Sequence, residues 1–240
     1  MKSILITIIT LLTITVYGQK VIDFPSKDGL TITADMYEAE NSKQFIILFH
    51  QAGWSRGEYQ EIAPKLNALG YHALAVDQRS GGGVNDIKNK TNALAKKEGK
   101  KTEFVDAFQD VEAAVSYVKS TYKPDKIIIW GSSYSSSLVL KYAGDYPDKI
   151  DGVLSFSPGE YFGKKSFITT SAANIMVPVF ITSAKSEKKS WSGIYDAIPS
   201  SKKQFFLPET KGNHGSRALW EKFSDNQNYW TAVKGFLKTI

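Results

Sequence analysis

Two short stretches of this chain carry residue types that can do chemistry together. Gly131-Ser132-Ser133-Tyr134-Ser135 follows the run KIIIW at 126–130, and Gly212-Asn213-His214-Gly215 lies near the chain end. A serine hydroxyl is a weak nucleophile at neutral pH. It needs a histidine within hydrogen-bond reach to take its proton, and a carboxylate to orient that imidazole. Ser133 is the best placed of the serines. A nucleophile on a tight strand-to-helix turn needs small residues two before and two after it, here Gly131 and Ser135. Ser132 or Ser135 would serve equally well as the cap of the following helix. Such a turn also aims backbone N–H groups and a helix start at one point, where an oxyanion can be held. Glu160 and Glu187 are the two carboxylates that can orient the base. His214 stands in a glycine-bracketed loop, where a histidine has few structural reasons to be. His50 reads as a structural residue holding its loop, and His72 as one satisfied inside a strand.

These side chains must be positioned by regular elements. Strand patterns fall at 30–38, 45–49, 71–77, 126–130, 152–157, 178–183 and 203–208. The run 45–49 is wholly apolar, as a strand covered on both faces would be. Helical patterns fall at 58–70, 103–120, 134–144 and from Ser216 to the end. In 103–120, Phe104, Phe108, Val111, Val115 and Val118 share one face. The stretch 81–101 is the most polar and reads as a mobile loop. Strand–helix alternation at this spacing predicts one α/β domain over 19–240. Its sheet should be mostly parallel and twisted, of about 7–8 strands, with helices on both faces. In such sheets function collects at the carboxyl ends of the strands. The serine cluster, both glutamates and His214 all follow strands. So do Ser55, Arg56 and Glu58, which could line the site; Glu58 could equally sit in the first turn of a helix, where its charge suits the dipole.

With these motifs in place, the chain resembles the α/β-hydrolase family over most of its length. Gly131-Ser132-Ser133-Tyr134-Ser135 is similar to the family's Gly-x-Ser-x-Gly nucleophile elbow, with Ser135 in place of the last glycine. The family's order of serine, acid and histidine is met by Ser133, Glu187 and His214. Glu187 stands at the usual place of the acid, and Glu160 at a position some members use. His50-Gln51-Ala52-Gly53 resembles the His-Gly-x-Gly oxyanion loop, with Gln51 replacing the first glycine. The resemblance implies the N–H groups of Tyr134 and Ala52 as oxyanion donors. Asp77-Gln78-Arg79-Ser80-Gly81-Gly82 is similar to the family's Asp-x-Arg-Gly loop, which supports architecture more than chemistry. The small size resembles dienelactone-hydrolase-like members. Family caps usually enter after the strand ending near Ser157, and here only about 20 residues precede the next strand. The expectation is an open cleft without a large cap, walled by Gln51, Trp54, Tyr134, Tyr161 and Trp191. It would suit apolar acyl or aryl groups, unless these aromatics only pack the loops.

Composition narrows the remaining classes. The absence of cysteine excludes disulfides, thiolate chemistry and cysteine zinc sites. The three histidines form no close ligand spacing, so neither a metal nor a cofactor is expected. Lys2, an apolar run of 13 residues at 4–16 and Val16-Tyr17-Gly18 read as a signal peptide cleaved after Gly18. The alternatives are an uncleaved anchor or a first strand. The run is short for a bilayer, and no later stretch is long enough to span one. The expectation is export to the periplasm or the exterior, with Gln19 first and the net charge falling by one, from +6 to +5. The basic runs at 96–101, 163–165 and 185–189 lack an aromatic platform and read as solvated faces rather than a nucleic-acid site. The whole predicts a serine hydrolase acting on a small ester or acyl substrate through an acyl-enzyme, carboxylic esters first. A secreted aminopeptidase or a thioesterase would use the same machinery. An inactive binding protein of the same fold and a polyanion- or surface-binding module driven by the +5 charge are the remaining alternatives.

Overall fold

Ile127, Ile128, Ile129 and Trp130 are all buried, and they alternate between two separate cores. That alternation defines a sheet covered on both faces. The structure is a computed structural model and describes residues 19–240; the stretch read as a signal peptide, 1–18, lies outside the described residues. The strands are β1 (Gln19–Pro25), β2 (Thr31–Tyr37), β3 (Gln44–Phe49), β4 (His72–Val76), the short pair β5 (Gly83–Val84) and β6 (Ile87–Lys88), β7 (Lys126–Ser132), β8 (Gly152–Phe156), β9 (Val179–Thr182) and β10 (Lys203–Phe206). The helices are α1 (Ala63–Asn67), α2 (Lys90–Lys97), α3 (Phe108–Tyr122), α4 (Tyr134–Asp145), α5 (Phe167–Ala172), α6 (Lys188–Ala197) and α7 (Asn226–Leu237).

Eight strands form one sheet in the order β1-β2-β4-β3-β7-β8-β9-β10. From β4 to β10 every pairing is parallel, while β1 and β2 are added antiparallel at one edge. Side chains of α3, α4 and α6 pack one face, with Ile47, Ile127, Ile129 and Ile181 of the sheet. Side chains of α1 and α7 pack the other, with Leu48, Trp130, Phe156 and Phe180. The chain leaves β3 for β4 on one side and later takes β7 on the other. The carboxyl ends of β3 and β7 therefore flank the point where strand order reverses, the place where such sheets open a crevice.

Several expectations change. The segment 58–70 is not one helix: a 3₁₀ turn, Arg56–Tyr59, precedes a five-residue α1 whose first turn holds Pro64. Proline suits a helix start and cannot continue a helix from before it. The stretch 81–101 is not a loop: it forms the β5–β6 hairpin and α2, whose start is capped by the Asn89 side chain accepting the Asn92 N–H at 2.7 Å. The helix at 103–120 begins as a 3₁₀ turn, Phe104–Ala107, so Phe104 leaves the core stripe and stacks on Tyr134 instead. The last helix is divided: a 3₁₀ turn, Ser216–Leu219, ends at an extended Trp220, and residues 220–225 separate it from α7. β1, α5 and α6 lie where no element was predicted. β1 is an edge strand that buries only Phe24, so it carries no apolar run. Between β8 and β9 the only helix is α5.

Candidate active site

A tight turn at the crevice joins β7 to α4. Ser133 sits there alone at φ 57° and ψ −123°, a backbone region unfavourable for any residue with a side chain. The strain is held by its surroundings. A Cβ on Gly131 would collide with the Ser135 carbonyl, so the turn closes only over glycine. The Ser133 N–H donates to the Phe156 carbonyl of β8 at 2.8 Å. Ser135 occupies the place of the family's glycine and uses its hydroxyl. It lies 2.6 Å from both the His50 carbonyl and the Gln78 side-chain oxygen, tying the turn to the loops after β3 and β4.

The Ser133 hydroxyl is 2.8 Å from His214 Nε2, and His214 Nδ1 is 2.6 Å from Glu187 Oε1. Glu187 ends a 3₁₀ turn, Lys185–Glu187, directly after β9. Its second oxygen accepts the Ser157 hydroxyl at 2.7 Å and the Ala184 N–H at 3.2 Å. Burial acts to raise this carboxyl; the bonds to His214, Ser157 and Ala184 and the charge of His214 outweigh it and hold the pKa below its ordinary value. Glu160 is not brought to His214. It accepts the N–H groups of Ile168 and Thr169 at 2.8 and 2.9 Å and closes the start of α5.

Two supporting residues were not read from the sequence. Ser157 lies at φ 61° and receives the Gly215 N–H at 2.9 Å while donating to Glu187, so one hydroxyl fixes both Glu187 and the loop that carries His214. Tyr229 donates to the Ser183 carbonyl at 3.1 Å and receives the Asn213 N–H at 3.4 Å, joining the same two loops from α7. The only sequence signal was position, a hydroxyl at a strand end or on a helix facing that edge.

The loop after β3 is fixed by His50. Its Nε2 accepts the Gln78 N–H at 3.0 Å, so the proton is on Nδ1, which donates to the Gln51 carbonyl at 2.8 Å. Burial holds this imidazole below its ordinary pKa and therefore neutral. The N–H groups of Ala52 and Tyr134 find no acceptor among the described residues. Glu58 lies beneath this loop in the Arg56–Tyr59 turn and is wholly buried. It accepts the Gln51 N–H at 2.8 Å and the Ser132 hydroxyl at 2.7 Å. Ser55 caps that turn, and Arg56 is committed to Asp77, so neither lines the site.

The expected cleft walls divide. Tyr161 is 39 % exposed, donates to the Ser157 carbonyl at 2.9 Å and lies close enough to Ser133 and Glu187 for its phenol to interact with both. Trp54 is half-buried at the rim, stacked on Trp220 at 5.3 Å. Trp191 is not a wall: at 1 % exposure it belongs to the core, and its indole N–H donates to Ser183 at 2.8 Å. Gln51 is also buried, its side-chain oxygen packed against Gly215 behind the histidine loop. Among the described residues no group of three or more His, Cys, Asp or Glu side chains converges as a metal site, and no helix is long and apolar enough to cross a membrane.

A family model described as serine aminopeptidase, S33, matches residues 40–189. No curated protein sequence matches the chain. Among solved structures, a dienelactone hydrolase from Anabaena variabilis superposes with a TM-score of 0.73 at 10% identity, over 92% of this chain and 97% of that one. An esterase of Pyrococcus furiosus gives 0.70 at 19%, over 93% of each. A monoacylglycerol lipase of Paleococcus ferrophilus gives 0.63 at 13%, over 86% and 98%. At these identities the likeness is one of fold.

Proposed function

The chain belongs to the serine aminopeptidase S33 group of the α/β-hydrolase family, and on that premise we propose that it is a serine hydrolase cleaving carboxylic esters through an acyl-enzyme. The observation that carries this reading is the unbroken chain from Ser133 Oγ through His214 to Glu187. In the first half-reaction Ser133 Oγ attacks the ester carbonyl carbon while His214 Nε2 takes its proton. Glu187, held ionised, stabilises the imidazolium that forms. The carbonyl oxygen gains its negative charge facing the N–H groups of Tyr134 and Ala52. The intermediate collapses with transfer of the proton from His214 to the leaving alkoxide, which departs as an alcohol. In the second half-reaction His214 draws a proton from water as the water oxygen attacks the acyl carbon; the intermediate then collapses as His214 gives that proton to Ser133 Oγ, releasing the acid and restoring Ser133.

An apolar acyl group is supported by the ring of Tyr161, which is 39 % exposed and close to both Ser133 and Glu187. The family description favours a second reading, an aminopeptidase. That activity needs a free acceptor for the substrate's α-amino group. The glutamates that follow β3, β8 and β9 (Glu58, Glu160 and Glu187) are all engaged within the protein, which supports the ester reading. The test is kcat/KM on a panel of acyl esters, acyl thioesters and aminoacyl anilides. Esters are expected to be turned over fastest. Faster anilide cleavage would make it a peptidase, and turnover of nothing, with no reaction at Ser133, a binding protein.

The reading includes export. Its basis is the charged and apolar stretch at 1–16 together with Val16-Tyr17-Gly18, with cleavage after Gly18.

A further inference from the structure

We propose that Glu58 is a positioning residue of this site: as an ion it holds the oxyanion loop, the nucleophile turn and the histidine loop in register. The proposal rests on the serine-hydrolase reading above. One Glu58 oxygen accepts the N–H of Gln51, the neighbour of Ala52, at 2.8 Å. The other accepts the hydroxyl of Ser132, the neighbour of Ser133, at 2.7 Å. The same Ser132 oxygen receives the N–H of Ser216, two residues beyond His214, at 2.9 Å. The Trp220 indole N–H adds a bond to the Glu58 carbonyl at 2.9 Å. Two of these segments thus bond the buried side chain directly, and the histidine loop reaches it through Ser132.

The charge matters because both carboxyl oxygens work as acceptors. A proton on the first would face the Gln51 N–H. A proton on the second would reverse the bond, with Glu58 donating to the Ser132 oxygen, and the Ser132 O–H would lose the carboxylate that now accepts it. Either way the observed arrangement of donors and acceptors requires the ion. The groups facing Glu58 are His214 and Arg217, whose charges favour the ion, and the phenols of Tyr59 and Tyr134. Burial opposes the ion more strongly and pushes Glu58 up to about 7. Activity should therefore require two ionisations on its acid side: a neutral His214 and a charged Glu58.

The test compares wild type, Glu58→Gln, Ser132→Ala and Ser133→Ala across pH, reading ester kcat and KM and the rate of labelling by a fluorophosphonate. For wild type, log kcat/KM against pH is expected to approach a slope of two at the acid end. Glu58→Gln should give a slope of one, with kcat lower by roughly 10- to 100-fold, the scale of a small misplacement of reacting groups, and KM changed less. Its thermal midpoint at pH 8 should stay within a few degrees of wild type. Ser132→Ala keeps the buried ion but cuts its link to Ser216. It should keep the slope of two with a lowered kcat, and it serves as the test if Glu58→Gln does not fold. Wild-type rate and slope in Glu58→Gln would overturn the proposal, as would wild-type kcat in Ser132→Ala. So would a loss in Glu58→Gln that merely tracks the unfolded fraction. If Ser133→Ala still labels, it is the hydrolase reading that fails, independently of Glu58.

Discussion

Ser133 is held in a strained backbone conformation with its hydroxyl 2.8 Å from an imidazole, and that placement has direct consequences for substitution. Ser133→Ala should abolish ester hydrolysis, leaving only the residual rate that binding and the oxyanion donors provide. Glu187→Gln removes the charge that favours the imidazolium while nearly keeping the volume. It should lower kcat by roughly 10²–10⁴-fold, read by steady-state kinetics on the best ester. Glu160→Gln should leave kcat unchanged and cost about 1 kcal/mol in urea unfolding, because Glu160 closes the start of α5. The residues alone did not separate the two glutamates, since each follows a strand; the family resemblance favoured Glu187. The separation is made by the fold of residues 158–166, which turns Glu160 back onto the N–H groups of Ile168 and Thr169. Ser133 and His214 were legible because glycines and small residues mark tight turns. Ser132 and Ser157 were not: a supporting hydroxyl looks like any other in a serine-rich chain until its partners are known.

The elements that carry the site differ in how plainly the sequence marks them. β3 and β7 are buried on both faces, so each appears as a continuous apolar run. α2 buries Thr91, Asn92 and Ala95, a small and mostly polar face, and reads as loop for that reason. Pro64 divides the pattern at 58–70, whose apolar spacing otherwise satisfies a helix. Trp191 follows Glu187 on α6; with that helix unrecognised, an indole near the acid looked like a cleft wall rather than a core residue supporting Ser183. The turn between β7 and α4 can be tested as a unit. Gly131→Ala places a methyl group against the Ser135 carbonyl and must open the turn. The expected cost is roughly 1–3 kcal/mol in unfolding free energy, with a fall in kcat larger than the loss of folded protein explains.

On the scale of the molecule, two cores lie on either side of one sheet, and the charge buried beneath the crevice should show in stability. Glu58 is raised in the folded state from 4.5 to about 7, so the folded protein binds more protons than the unfolded chain between those values. Stability from this group is therefore fully present below about 4.5 and is lost as pH rises through about 7. The loss is roughly 3 kcal/mol. Urea unfolding at pH 5 and pH 8 should show a pH-dependent loss in wild type that is smaller by about this amount in Glu58→Gln. The proposal of export is tested separately: protein recovered from its native host should have the intact mass of a chain beginning at Gln19. The central claim, that Ser133 is the nucleophile of an acyl-transfer site, is tested most directly by mapping a fluorophosphonate adduct by mass spectrometry. The account expects a single adduct on Ser133, formed in wild type and absent from Ser133→Ala. An adduct on Ser132 or Ser135, or none on a folded protein, would contradict it.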